Sequence, residues 1–279
     1  MIQAHDLVKN LWDVYRQNVP TASRVFEALI DINEVWIEDH IALRTFNWKK
    51  FNKHNLEMFF ESLGWQTIES SYMFPEKKLT ALHMAHPDRS LPKIFISQLE
   101  VEQLSAACID IINKYLSNQE ESLNSRMSLD DAIKHFCIPP WGRANLNDYH
   151  QLLKESQYAA WTLLFGNNVN HFTISVHLMR HLNNLAEMNN LVESLGIILN
   201  DDHGKIKGSP DVLLEQSSTL ADLLEVEFDR GERIEVPYAF IEFANRYPLG
   251  EYAEKWEDYF QGFVEGNADR IFTSTNITT

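Results

Sequence analysis

DHIALRTF, residues 39–46, reads as a short apolar strand that nevertheless carries His40 and Arg44. Side chains on a strand alternate faces, so His40, Ala42, Arg44 and Phe46 share one side and Ile41, Leu43 and Thr45 the other. An imidazole and a guanidinium therefore face the same way, with only an alanine between them. A strand histidine turned to a core is more often a hydrogen-bonded structural group than a ligand. An inward arginine needs an anion, and its planar fork matches a carboxylate in bidentate fashion.

The sequence on either side sets this strand in a larger pattern. Residues 7–32 carry apolar side chains at helical spacing, with a break near Pro20. FNKHNLEMFFESLG (51–64) reads as an amphipathic helix ending at Gly64, and glycine is the usual residue just past a helix end. Three strand-like runs follow, WQTIESSYMF (65–74), LTALHMAH (79–86) and PKIFISQL (92–99), separated by PEKK and PDRSLP. The order is βαβββ.

Residues 100–165 change character. VEQLSAACIDIINKYL, MSLDDAIKHF and NDYHQLLKESQYAAWTLLF all have helical spacing, with PPWGR (139–143) as a turn. The block is expected to be a helical insertion rather than a separate domain.

The earlier pattern then recurs. NHFTISV (170–176) reads as a strand with His171, Thr173, Ser175 and His177 on one face. LNNLAEMNNLVESLG (182–196) reads as a helix ending at Gly196. IILNDD, a turn around HGKIKGSP, DVLLEQSST and LLEVEFDRGERIEVPYAFIEFANR supply further strands, with DRGER as a hairpin turn. The first helix ends in ESLGW and the second in ESLGI; His40 lies 21 residues before Glu61 and His171 22 before Glu193. Each strand opens on an acid or amide followed by histidine, Asp39-His40 and Asn170-His171. Together these matches indicate a duplicated module.

The expected architecture is α+β, with paired βαβββ modules forming a curved mixed sheet around a metal site. A single domain is expected, divided into N-terminal helices (1–36), a first module (37–99), the helical insertion (100–166), a second module (167–247) and a helical tail (248–279).

Composition bounds the partners. The chain of 279 residues is 44% hydrophobic and 23% charged, ordinary for a globular protein, and long enough for a sizeable core. Its net charge of −16, from 40 acidic and 24 basic side chains, leaves no basic face for nucleic acid or an anionic membrane. MIQAHDLVKNLWDVYRQ has no uninterrupted apolar run, and Cys108 and Cys137 lie outside any CxxC, so a reduced, cytoplasmic setting is expected, as a monomer or homodimer.

Two histidines at equivalent places in duplicated modules raise a metal site above the bland reading of either one. If the first strands of the two modules lie side by side, His40 and His171 come close. Glu242, in YAFIEFANR, is the candidate third ligand, because a lone glutamate on so apolar a strand is costly to bury ionised unless paired or metal-bound. Its alternative is a solvent-facing position on an edge strand. Two imidazoles and a carboxylate make the facial set that suits non-haem Fe(II), without excluding Mn(II), Co(II) or Zn(II). Arg44, about 13 Å along the strand from His40, is either an anion clamp or half of a structural ion pair.

Other features carry less. His83 and His86 have odd spacing for one strand face, His177 and His181 straddle a strand end, and His135 with Cys137 lacks suitably spaced partners. GxSxG, Walker and dinucleotide-binding fingerprints are absent from the sequence. Ser209, in KGSPDVLLEQ, and Ser274, in IFTST, are further candidates for substrate contact.

HIALRTF, NHFTISV and FIEFANR resemble the three metal-site strands of the DUF1338 family, whose characterised members are 2-oxoadipate dioxygenase/decarboxylases, and the resemblance covers nearly the whole chain. That family is similar in architecture to the vicinal oxygen chelate superfamily, which pairs βαβββ modules around a metal. The resemblance implies Fe(2+) on His40, His171 and Glu242, with Arg44 binding substrate. It also implies a 2-oxo dicarboxylic acid and O2 as small-molecule partners, with 2-oxoadipate yielding CO2 and 2-hydroxyglutarate. Two alternatives remain: a Zn(II)- or Ni(II)-dependent hydrolase, lyase or isomerase on the same fold, and a non-catalytic carboxylate-binding protein.

Overall fold

The computed structural model describes residues 2–119, 123, 124, 126–251 and 253–276. Helices α1 (Ala4–Asn18) and α2 (Pro20–Asp31) lead into strand β1 (Glu38–Phe46). Pro20 explains the break: at the first turn of α2 its missing N–H is no loss, whereas it cannot continue the ladder of α1. The first module runs on through α3 (Lys53–Glu61), β2 (Gln66–Phe74), β3 (Leu79–Ala85) and β4 (Lys93–Leu99). Four helices follow, α4 (Ala106–Leu116), α5 (Leu129–His135), α6 (Leu146–Glu155) and α7 (Gln157–Phe165). The second module comprises β5 (Val169–Ser175), α8 (Leu185–Ser194), β6 (Lys207–Ser209), β7 (Leu214–Ser218) and β10 (Phe240–Arg246). A hairpin, β8 (Leu223–Glu227) with β9 (Arg233–Pro237), interrupts it, and α9 (Glu265–Ile271) comes last.

The chain forms two compact units. One holds residues 1–14, 42–170 and 224–236; the other holds 15–41, 171–223 and 237–279. In the first, strands lie in the order β2-β3-β4-β1, with β3 antiparallel to both β2 and β4. Phe59, Phe60, Trp65 and Phe136 fill its core, and the Trp65 indole N–H donates to the Pro92 carbonyl at 2.9 Å. In the second, the order is β1-β5-β10-β7-β6, with β10 parallel to β5 and antiparallel to β7. Phe172, Phe240 and Phe243 are fully buried there; Tyr15 packs on Phe172 and donates its hydroxyl to the Phe240 carbonyl. Strand β1 contributes to both units, which divide between Ile41 and Ala42. Among the described residues, no helix is long and apolar enough to cross a membrane.

The two modules share local punctuation. Asn52 caps α3 by accepting from the Asn55 N–H, and Asn184 caps α8 by accepting from the Glu187 N–H, each at 2.9 Å. Both helices are followed by a glycine in the left-handed region, Gly64 (φ 107°) and Gly196 (φ 71°). In both, a proline-initiated turn joins the next two strands, Pro75–Lys77 ending on Lys78 (φ 58°) and Pro210–Val212 ending on Leu213 (φ 60°).

Three local expectations are corrected. The helix expected over 147–165 is two, because Ser156 leaves the helical region and its hydroxyl caps α7 through the Ala159 N–H at 3.1 Å. IILNDD forms only an isolated bridge, Leu199 with Thr219, because the Asn200 side chain accepts from the Asp202 N–H and turns the chain. Strand β5 ends at Ser175, so His177 falls in a 3-10 turn, Val176–Leu178, and leaves the face it was expected to share with His171.

Candidate metal centre

His40, His171 and Glu242 converge. Each offers a ligand atom, and these atoms all lie within 4.8 Å of one another. The strand register explains why. β10 pairs in parallel with β5, bringing Phe240 opposite His171 and Glu242 opposite Thr173, so these residues share a face. β1 adjoins the other side of β5, and the two imidazole rings stand 5.6 Å apart, edge to face. The His171 Nε2 lies 3.0 Å from Glu242 Oε2 and the His40 Nε2 3.7 Å from Glu242 Oε1. β10 is flanked by β5 and β7, and Glu242 is 1% exposed, which removes the alternative of a solvent-facing edge residue.

The surrounding groups fix which atoms point inward. Asp39 accepts from the His40 Nδ1–H at 2.8 Å, so the lone pair of that ring is on Nε2. The Thr173 hydroxyl lies 3.1 Å from that Nε2 and can donate to it. Asp39 is itself held by Arg246, whose Nε and Nη2 donate to the two carboxylate oxygens at 2.6 and 2.8 Å. Arg246 also donates through Nη1 to the carbonyls of Phe260 and Gly262. Gln216 donates through Nε2 to Glu242 Oε1 at 2.6 Å. Burial alone would raise the Glu242 carboxyl pKa, but His171 and His40, with hydrogen bonds from His171 and Gln216, hold it below the ordinary range.

These observations fit a divalent cation. A buried carboxylate and two imidazole nitrogens, one with its lone pair fixed inward, make a three-donor set of the types that bind divalent metals. No second group of three or more such side chains occurs among the described residues.

Arg44 is 2% exposed, and its guanidinium carbon lies 5.0 Å from the Tyr158 ring centre and 4.9 Å from that of Trp161, both on α7. Burial pulls its pKa down to about 10, so the group stays cationic at neutral pH. Aromatic stacking uses the faces of a guanidinium, whereas carboxylates are recognised along its N–H edges.

The remaining candidates have structural surroundings. Ser274 is bonded through its hydroxyl to Ser218 and Asn200, each at 2.8 Å. Ser218 is in turn the register partner of Glu242. Ser209 precedes the Pro210 turn without a side-chain cap. His83 bonds Tyr72, and His86 accepts from the Asp88 N–H. His135 stacks on Phe51, and burial lowers its pKa to about 4.

The sequence reading did not single out Asp39, Arg246 or Gln216 as supports. Asp39 did stand out as part of the repeated acid-or-amide plus histidine start, but as a mark of duplication. Arg246 is two strand steps beyond Glu242 and so on its face, a signal that period-two reading could have used.

Comparisons with known proteins show the family to which the chain belongs. The family model for 2-oxoadipate dioxygenase/decarboxylase matches residues 4–255. The chain is 38% identical to the chloroplastic 2-oxoadipate dioxygenase/decarboxylase of Arabidopsis thaliana, over 94% of this chain and 74% of the relative. The crystal structure of the hydroxyglutarate synthase of Oryza sativa in complex with 2-oxoadipate superposes with a TM-score of 0.86 at 34% identity, covering 97% of this chain and 91% of that one. A protein assigned to the glyoxalase superfamily from Ralstonia eutropha JMP134 shares the fold, with a TM-score of 0.76 at 23% identity over 93% of this chain and 85% of that one. The expected fold class, paired modules of the vicinal oxygen chelate type, is therefore the one the chain adopts. The chain belongs to the 2-oxoadipate dioxygenase/decarboxylase family.

Proposed function

We propose that this protein is an Fe(II)-dependent dioxygenase/decarboxylase that converts 2-oxoadipate, or a close 2-oxo acid, with O2 to 2-hydroxyglutarate and CO2. The observation that carries the reading is the convergence of His40, His171 and Glu242 in a chain of this family. The atoms balance for 2-oxoadipate: carbon 1 leaves as CO2, one oxygen atom of O2 enters the new carboxylate, and the other becomes the hydroxyl.

Iron held by His40, His171 and Glu242 would supply O2 activation and a Lewis-acidic centre for the keto and carboxylate oxygens. The protein's part is positioning. Asp39, clamped by Arg246, keeps the His40 ring oriented; Gln216 holds one carboxylate oxygen of Glu242 and leaves the other toward His171. Burial of all three side chains keeps bulk water from competing with substrate. Arg44 is assigned to a substrate carboxylate, its faces held by Tyr158 and Trp161 so that its N–H edge is presented in one orientation. Ser209 and Ser274 are weaker assignments to substrate, Ser274 acting through Ser218 beside Glu242.

The test is anaerobic reconstitution with Fe(II), then admission of O2 with 2-oxoadipate while oxygen uptake and products are followed. Uptake matched by CO2 and 2-hydroxyglutarate is expected. Protein that demonstrably holds iron yet yields neither would overturn the proposal. Turnover without O2 would point to a hydrolase, lyase or isomerase, and stabilisation by carboxylates without turnover to a binding protein.

A further inference from the structure

Two residues from Glu242 along β10, a second row crosses the same face of the sheet. Ala244 is the register partner of Ser175 on β5 and of Gln216 on β7, just as Glu242 is the partner of Thr173 and Ser218. Directly paired residues point to the same side, so Ser175, Ala244 and Gln216 lie beside the triad, about 7 Å along the strand. Ser175 and Gln216 are 0% and 2% exposed. Among the described residues, neither the Ser175 Oγ nor the Gln216 Oε1 has a hydrogen-bond partner. Buried polar atoms are nearly always paired, and these two flank one methyl side chain in the sheet interior.

Their chemistry specifies what would pair them. The Gln216 amide cannot be turned over, because the carboxylate of Glu242 only accepts and so must receive the Nε2–H. Its Oε1 is therefore a fixed acceptor, and an amide's own geometry keeps it within about 5 Å of Glu242 Oε1. It requires an O–H or N–H donor. The Ser175 hydroxyl can donate to a carboxylate oxygen. Between them Ala244 carries only a methyl group.

We infer that Ser175, Ala244 and Gln216 form a polar subsite for a 2-hydroxy carboxylic acid, in which Gln216 accepts from the ligand hydroxyl and Ser175 donates to its carboxylate. The inference rests on the metal-centred 2-oxo acid reading and adds that the site recognises the hydroxylated product as well as the oxo substrate.

The test is anaerobic calorimetry on Fe(II)-loaded wild type, Ser175→Ala and Gln216→Leu with 2-hydroxyglutarate, each enantiomer separately, and with glutarate, which lacks only the hydroxyl. Iron affinity is measured for each variant beforehand, because Gln216 also supports Glu242. Gln216→Leu is expected to weaken one enantiomer of 2-hydroxyglutarate roughly threefold to tenfold more than glutarate, and Ser175→Ala to weaken both acids by a similar factor. Ser175→Ala removes none of the hydrogen bonds among His40, His171, Glu242 and their supports, so it tests the subsite even if Gln216→Leu fails to fold. Unchanged binding in Ser175→Ala, or equal losses of both acids in Gln216→Leu, would overturn the subsite while leaving the metal centre standing. Wild type that takes up no iron would overturn the underlying reading instead.

Discussion

The first module places Arg44 four residues after His40; the second places Ser175 four residues after His171. Their backbones are punctuated alike, with an asparagine cap, a left-handed glycine and a proline-initiated turn at matching points. Their last strands differ: KIFISQL (93–99) has no carboxylate, whereas FIEFANR (240–246) carries Glu242 and, on the same face, Arg246. A duplicated strand supplies the same position twice, and two imidazoles use it. A third ligand is needed once, so only the second module keeps an acid there. At the fourth residue after the histidine, a large cation is likewise kept in the first module only. The lesson is that duplication conserves where side chains point, while chemistry comes from the positions at which the copies diverge.

The comparison breaks most directly at the ligands. His40→Ala, His171→Ala and Glu242→Ala should each lower iron affinity on the order of 100-fold or more, read by metal analysis after dialysis. Full occupancy in all three would refute the site. At the diverged cation, Arg44→Ala should weaken 2-oxoadipate binding roughly 10- to 100-fold with iron content unchanged. Arg44→Lys should not restore it, because an ammonium lacks the stacked planar fork. Full rescue by lysine would reduce Arg44 to a point charge.

Asp39→Asn tests the support beneath His40. Losing the carboxylate partner of Nδ1 should reduce iron affinity about tenfold, and a double change of Asp39 and Arg246 separates this from the effect of an unpaired buried arginine. Retained affinity in both would remove Asp39 from the account.

The loop before β1 offers a pH test. Burial alone would raise the pKa of Glu34, but backbone N–H groups of Arg180, Val35, His181 and Leu182 hold it below the ordinary 4.5. The folded pKa is depressed, so the stabilisation is complete above 4.5 and is lost as pH falls through the lower folded value. Glu34→Gln should therefore be less stable at neutral pH and flatten the acid limb of a stability-versus-pH curve. An unchanged limb would contradict the assignment.

The smallest effect concerns the shared turns. Leu213 adopts a left-handed backbone, φ 60°, where a branched side chain is disfavoured. Leu213→Asn should stabilise the protein by about 0.5–1 kcal/mol, measured by denaturant unfolding, and a destabilisation would mean that packing outweighs backbone strain.

Much of this was legible in the sequence because it rests on period and spacing. Alternation in DHIALRTF and NHFTISV located both histidines, and the isolated acid in FIEFANR located Glu242. The supports were harder. Asp39 acts through its neighbour's ring rather than along the strand face, Arg246 reaches from the strand end, and Gln216 depends on the β7–β10 register, which no local pattern encodes. The failure at IILNDD has a similar cause: its apolar start suggested a strand, but Asn200 supplied a side-chain turn that competes with the ladder.

The central claim is that His40, His171 and Glu242 together hold one catalytic iron. Its most direct test is a crystal structure of anaerobically Fe(II)-loaded protein, with anomalous data collected at the iron edge. The account predicts a single peak bonded to His40 Nε2, His171 Nε2 and a Glu242 carboxylate oxygen. An iron peak on other side chains, or none in crystals grown from protein that holds iron in solution, would contradict it.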